Sequence, residues 1–196
     1  MYFDKPGKDN TQQTLKLAAQ RAKELEIKEV VVASSTGYTA HQAVEIFDGP
    51  QITVVTYHMG FKEPFKSIMP EEVKEDLHKQ GVTVVAASHA LSGVERSIAK
   101  KHSGVYPVLI MADTLRLFGQ GTKVAVEVAV MAADAGALSG NDIIAIGGSG
   151  HGADTALVLK PAHQNNFFDL RIREIICKPR SAFRRPCPGC TNSRCG

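Results

Sequence analysis

The sequence predicts an α/β protein: a three-layer α/β/α sandwich built on a mostly parallel sheet with one antiparallel strand. Three observations carry this. Apolar runs rich in β-branched residues, "EVVVAS" (29–34), "QITVVTY" (51–57) and "GVTVVAAS" (81–88), alternate with stretches of helical spacing. Two further runs, "NDIIAIGG" and "DTALVLKPA", are separated by a glycine-rich turn too short for a crossover helix, so they should pair antiparallel. The chain has 196 residues, 43% of them hydrophobic, which suits one well-buried domain.

In chain order, residues 11–26 place Leu15, Ala18, Ala19, Ala22 and Leu25 on one helical face, with Asn10 or Thr11 as N-cap. A short helix over 38–47 follows the first strand. After the second strand comes the loop "HMGFKEPFKSIMP". Pro70, Glu71 and Glu72 then open a third helix, because proline suits the first turn and acids suit its positive end. Residues 91–138 read as helices over 91–101, 107–118 and 122–136. The last is apolar nearly all round and should be buried, either inside the domain or in a homo-oligomer interface. "LRIREIIC" reads as a final strand at a sheet edge.

The net charge is +3 but uneven. Residues 178–196 hold Lys178, Arg180, Arg184, Arg185 and Arg194 and no acid, so the rest of the chain is slightly acidic. The body gives no reason to expect nucleic acid; only the tail does, on charge alone. The organisation expected is one domain over 1–180 and a disordered, basic, cysteine-containing tail over 181–196. Cys187, Cys190 and Cys195 in that tail have a second reading, a four-thiolate zinc site completed by Cys177. No apolar run is long enough to cross a bilayer and residues 1–20 lack a signal-peptide core, so no membrane partner and a cytoplasmic location are expected.

In open α/β sheets, ligands gather beyond the carboxyl ends of the strands, near free helix N-termini. Four loops qualify, and their polar and glycine residues are the candidate site. The first holds Ser34, Ser35, Thr36, Gly37, Tyr38 and Thr39, the parts of a phosphate cradle: hydroxyl donors, a glycine for close backbone approach, and a following helix dipole. The plainer reading is a helix cap. The second loop offers Thr56, Tyr57, His58 and Gly60, the third Ser88 and His89. The fourth offers Gly147, Gly148, Gly152, Asp154 and Thr155, either as a glycine loop folding over a ligand or as a wide hairpin.

That fourth loop fits the loose dinucleotide fingerprint at Gly148, Gly150 and Ala153, but a strand follows where a helix is required. The hydrolase elbow around Ser149 fails because His151 stands where glycine is needed, and no Walker A sequence is present. His58, His89 and His151 are acid–base candidates or plain surface histidines. At the N-terminus, Lys5, Asn10 and Thr11, with Lys8, form a second anion site or a solvated turn before a capped helix. Glu127 interrupts the apolar 122–136 stretch, with Asp134 on the same face, and reads as a ligand-facing acid or a structural hydrogen-bond partner. No spacing indicates a metal site in the body of the chain.

The strand–"SSTGYTA"–helix unit resembles the effector loop of pyruvate kinase's C-terminal domain, where a Ser/Thr-Gly loop holds a sugar phosphate. Residues 1–180 as a whole resemble a family of uncharacterised archaeal and bacterial proteins with that domain's fold. The stretches that carry this are "YFDKPGKDNTQQTL", "VVASSTGYTA", "VVTYHMGF", "SHALSGVERSI", "MAADAGAL", "GADTALV" and "PAHQNNFFD…EIICKPR". The resemblance implies a pyruvate kinase C-terminal domain-like sandwich without pyruvate kinase activity, since the catalytic barrel is not in this sequence. It also implies flavin mononucleotide (FMN) as the phosphorylated ligand, with its phosphate in the 34–39 loop. The alternative is a non-catalytic regulatory module that senses a sugar phosphate. Neither assigns a reaction.

Overall fold

Seven strands form one sheet in the order β1-β7-β6-β5-β2-β3-β4, in a computed structural model that describes residues 1–180. The strands are β1 (Tyr2–Phe3), β2 (Glu29–Ala33), β3 (Gln51–Thr56), β4 (Thr83–Ala86), β5 (Ile143–Gly147), β6 (Thr155–Lys160) and β7 (Arg171–Pro179). The helices are α1 (Thr11–Glu24), α2 (Tyr38–Ile46), α3 (Glu71–Lys79), α4 (Val94–His102), α5 (Pro107–Arg116) and α6 (Gln120–Asp134). Strands β5, β2, β3 and β4 are parallel neighbours. Strand β6 runs against both β5 and β7, so it is the single reversed strand the sequence leads one to expect.

The period-2 alternation of the strands sorts their side chains into two cores. On one face, Val30, Val32, Val54, Ile144, Ile146 and Val158 meet Leu15, Ala18 and Ala22 of α1, Ala40 and Ala43 of α2, and Leu77 of α3. On the other, Val31, Val55, Ile143, Ala145, Leu157 and Leu159 meet Ala125, Val128, Ala129 and Ala132 of α6. The chain is therefore a three-layer sandwich.

Twelve of the fifteen residues of α6 are buried. The protomer itself covers this helix, so its apolar character requires no partner chain. Exposed apolar side chains on and beside α4 and α5 include Val94, Val105, Ile110 and Leu117. Small residues let α6 approach the sheet closely. A Cβ on Gly147 would lie 2.2 Å from the Gly121 carbonyl oxygen, and one on Gly121 would lie 2.1 Å from Thr155 Oγ1. The start of α6 is thereby pinned to the junction of β5 and β6.

Two details differ from the sequence reading. Strand β7 is not simply an edge: β1 pairs in parallel with Lys178 and Pro179, and the Met1 amino group donates to the Ile176 carbonyl. A two-residue strand carries no periodicity, so β1 is invisible in sequence. Asn10 occupies the N-cap position of α1, but its amide donates to the Lys5 carbonyl and caps nothing.

Cys187, Cys190 and Cys195 lie outside the described residues. Their suggested partner Cys177 is wholly buried in the β7 core, where burial pushes its thiol up to about 11. That environment disfavours the thiolate a zinc ligand requires. Among the described residues, no helix is long and apolar enough to cross a membrane.

Candidate functional site

Because β2, β3, β4 and β5 are parallel and β6 is reversed, the loops after the first four strands and the start of the fifth share one end of the sheet. All four candidate loops therefore converge, and the N-terminal segment joins them.

At the first loop, Ser34 leaves β2 with its N–H bonded to the Val55 carbonyl, and its Oγ accepts the Ala40 N–H at 3.3 Å. That hydroxyl serves α2 as a cap, as the plainer reading had it. Thr39 is also buried, in the first turn. Ser35 is partly open, while Thr36 and Tyr38 face solvent. Gly37 has φ of 100° and precedes α2; a Cβ there would lie 2.4 Å from Val73 Cγ1. Glycine permits the left-handed turn and the close approach of Val73, which leaves Gly37 itself buried. Thr56 Oγ1 donates to the Ser35 carbonyl, fixing the loop to β3.

The N-terminal segment closes over this loop. Lys8 Nζ stands 4.1 Å from the centroid of the Tyr38 ring, placing a cation beside the start of α2. Lys8 itself is held from behind: Thr11 Oγ1 donates to its carbonyl at 2.6 Å and accepts the Ala153 N–H at 3.0 Å. Lys5 is exposed.

The fourth loop is locked rather than loose. Asp154 is wholly buried, and its carboxylate accepts the Gly7 N–H at 2.9 Å, the Ser149 N–H at 3.2 Å and the Thr155 hydroxyl at 2.8 Å. Gly148 packs on the Gly152 carbonyl, and a Cβ on Gly152 would lie 2.9 Å from Lys8 Cα. Asp154, Thr155, Thr11 and Asn10 are thus engaged within the protein, and they hold the loop and the lysine segment together. His151 is exposed, and Gly147 packs under α6.

The second and third loops build a ring cluster. Tyr57 stacks on Phe61 with centroids 4.0 Å apart, and His89 stands 5.3 Å from Tyr57, 5.2 Å from Phe61 and 5.5 Å from His58. The Arg96 guanidinium lies 5.9 Å from the Phe61 centroid. His58 Nδ1 donates to the Met59 carbonyl, and the Gly60 N–H to the Lys66 carbonyl, so the loop is internally tied. Ser88 is exposed. Phe61 escaped the sequence reading because its loop has no period, but its ring meets Tyr57 and both histidines.

Behind the cluster lies an ion pair. Lys123 and Glu127, one turn apart on α6, are 4% and 5% exposed, and Lys123 Nζ donates to Glu127 Oε2. The other carboxylate oxygen accepts the Leu91 N–H at 3.0 Å. Glu127 is accordingly a structural hydrogen-bond partner. The lysine four residues earlier on an otherwise apolar helix was the available signal for its mate. Asp134 belongs elsewhere, bonded to His163 and Gln164.

An open groove of about 680 Å³ lies away from all this, between the β4 edge and the end of α6, lined mainly by Thr83–Ala87 and Ala135–Ser139. Its one acid, Glu29, is bonded to the Ser139 N–H and hydroxyl, so it offers little chemistry. The sheet end with its cations, hydroxyls and rings is the better candidate.

Residues 12–159 match the family model described as pyruvate kinase, alpha/beta domain. Solved structures similar to the chain include two pyruvate kinase chains from Cryptosporidium parvum. One is 15% identical over 76% of this chain; the other, in complex with ADP, is 19% identical over 80%; both have a TM-score of 0.39. The similar region spans only 22% and 24% of those longer chains.

Proposed function

Since the chain belongs to the pyruvate kinase alpha/beta domain family, we propose that its sheet end binds a phosphorylated small molecule, FMN being the ligand that best fits the residues present. One observation carries this: Lys8, thirty residues away in sequence, stands over Tyr38 at the start of α2, the helix that the exposed Thr36 precedes. A cation, free helix N–H groups and a hydroxyl together favour a dianionic group.

The fit extends to the rest of FMN. Thr36, Gly37, Tyr38 and Lys8 would hold the phosphate, with Ser35 beside them. The Tyr57, Phe61 and His89 cluster would face the flavin ring, since aromatic side chains favour stacked or edge contacts with a planar system. The locked 147–154 loop would wall the ribityl chain. Bound flavin supplies electron-transfer chemistry that no side chain here offers. The protein's own residues bind, orient and screen the ring from water.

A non-catalytic module sensing a sugar phosphate is the second reading. It is favoured by the α2 cradle alone and makes no use of the ring cluster. Thermal shift separates the two. FMN is expected to raise the melting temperature and lose fluorescence on binding, while a hexose bisphosphate leaves the melting temperature unchanged. Stabilisation by the hexose bisphosphate alone would select the sensor reading. The protein is further proposed to be cytoplasmic and without a membrane partner.

A further inference from the structure

The geometry points to His89 as the group that exchanges protons with the ring of the bound ligand, and to the Lys123–Glu127 pair as the element that positions it. This rests on the FMN reading of the sheet end, and it gives the ligand class as a planar nitrogen heterocycle whose ring N–H can be given up and restored.

A buried ion pair contributes little net stability, because desolvating both ions offsets their attraction. The arrangement here does something more specific. Glu127 bridges from α6 to the loop after β4 by accepting the Leu91 N–H, two residues beyond His89. The same loop turns back on itself through Ser92, whose Oγ lies 3.3 Å from His89 Nδ1. The imidazole is therefore anchored through Nδ1. Its Nε2 makes no hydrogen bond among the described residues, and the ring sits half-buried in the wall formed by Tyr57, His58 and Phe61.

A serine hydroxyl can either donate to Nδ1 or accept from it, so Nε2 can serve as acceptor or donor. As acceptor, Nε2 forms its new N–H bond with its lone pair and takes the proton of a ring N–H, whose bonding electrons remain on the ring. The reverse step restores both.

The charges around His89 come from α6, α4 and the loop after β3. Burial lowers its affinity for a proton, the Glu127 carboxylate raises it, and Lys123, His58 and Arg96 lower it. Lys123 is itself pushed down by burial and pulled back by Glu127. His89 is thus held neutral at neutral pH, the form an acceptor needs.

The test uses the full chain and FMN. Calorimetric titrations in buffers of different ionisation enthalpy, between about pH 5.5 and 7.5 where imidazoles titrate, should show proton exchange with wild-type protein. His89→Gln should reduce it, leaving only the exchange of the phosphate, whose second proton also titrates at about pH 6. NMR titration should show the His89 midpoint moving when FMN is added. It should also fall further in Glu127→Gln, which keeps an acceptor for Leu91 but loses the charge that raises the His89 midpoint; an unmoved midpoint would overturn the part assigned to Glu127. A His89 midpoint indifferent to FMN, or unchanged proton exchange in His89→Gln, overturns the inference while leaving the FMN reading intact. No FMN binding by wild-type protein overturns both.

Discussion

Replacing Glu127 with alanine is expected to destabilise the protein by about 3 to 5 kcal/mol, the cost of stranding a buried charge. The stranded group is Lys123, 4% exposed, whose head bonds the carboxylate that the change removes. The Leu91 N–H loses its acceptor at the same time. Replacing both ions, as Lys123→Met with Glu127→Leu, should recover most of the loss. It removes the charge penalty and leaves only the Leu91 N–H unbonded, at about 1 to 3 kcal/mol. Urea unfolding of the three proteins checks the order. A loss under about 1 kcal/mol in Glu127→Ala would mean that the pair is hydrated, contrary to its burial.

The second large effect falls on Asp154. Its alanine variant gives up three hydrogen bonds to one buried carboxylate, from Gly7, Ser149 and Thr155. Bonds to charged groups contribute about 1.5 to 3 kcal/mol each, and their losses overlap, so a total of about 3 to 5 kcal/mol is expected. The Gly7 bond ties the N-terminal segment to the fourth loop. Hydrogen exchange at residues 7–11 should therefore accelerate more than exchange in the β2–β3 core. FMN binding should weaken as well, because Lys8 travels with that segment. Unchanged exchange at Gly7 would show that the tie is made elsewhere.

Much of the fold was legible because its signals are local. The β-branched runs of β2, β3 and β5 and the spacing of α1 each announce themselves within a dozen residues, and the short 147–154 connection implies an antiparallel partner. What was not legible depends on distance in sequence. Strand β1 exists only because Lys178 and Pro179 pair with it. Asp154 looked like a ligand contact because polar loop residues usually face outward. Its partner Gly7 lies 147 residues away, and that bond turns it inward.

The candidate site divides the same way. Ser34 reads as one hydroxyl among several, yet its bond to the Ala40 N–H gives it to the helix, leaving Thr36 as the open hydroxyl. The meeting of Lys8 with Tyr38, and of Phe61 with His89, follows from loop paths that no periodicity encodes. Glu127 was recognisable as an anomaly, but that its second oxygen holds the Leu91 N–H required the structure.

The central claim is that the start of α2, with Lys8 and Thr36, grips a phosphate group. Comparing FMN with riboflavin, which differs only in lacking that phosphate, tests it most directly. The charge-assisted bonds invoked amount to about 1.5 to 3 kcal/mol, so FMN should bind at least about tenfold more tightly. Combining Lys8→Ala with Thr36→Val should close most of that gap. Equal affinities of the wild-type protein for the two flavins would contradict the account.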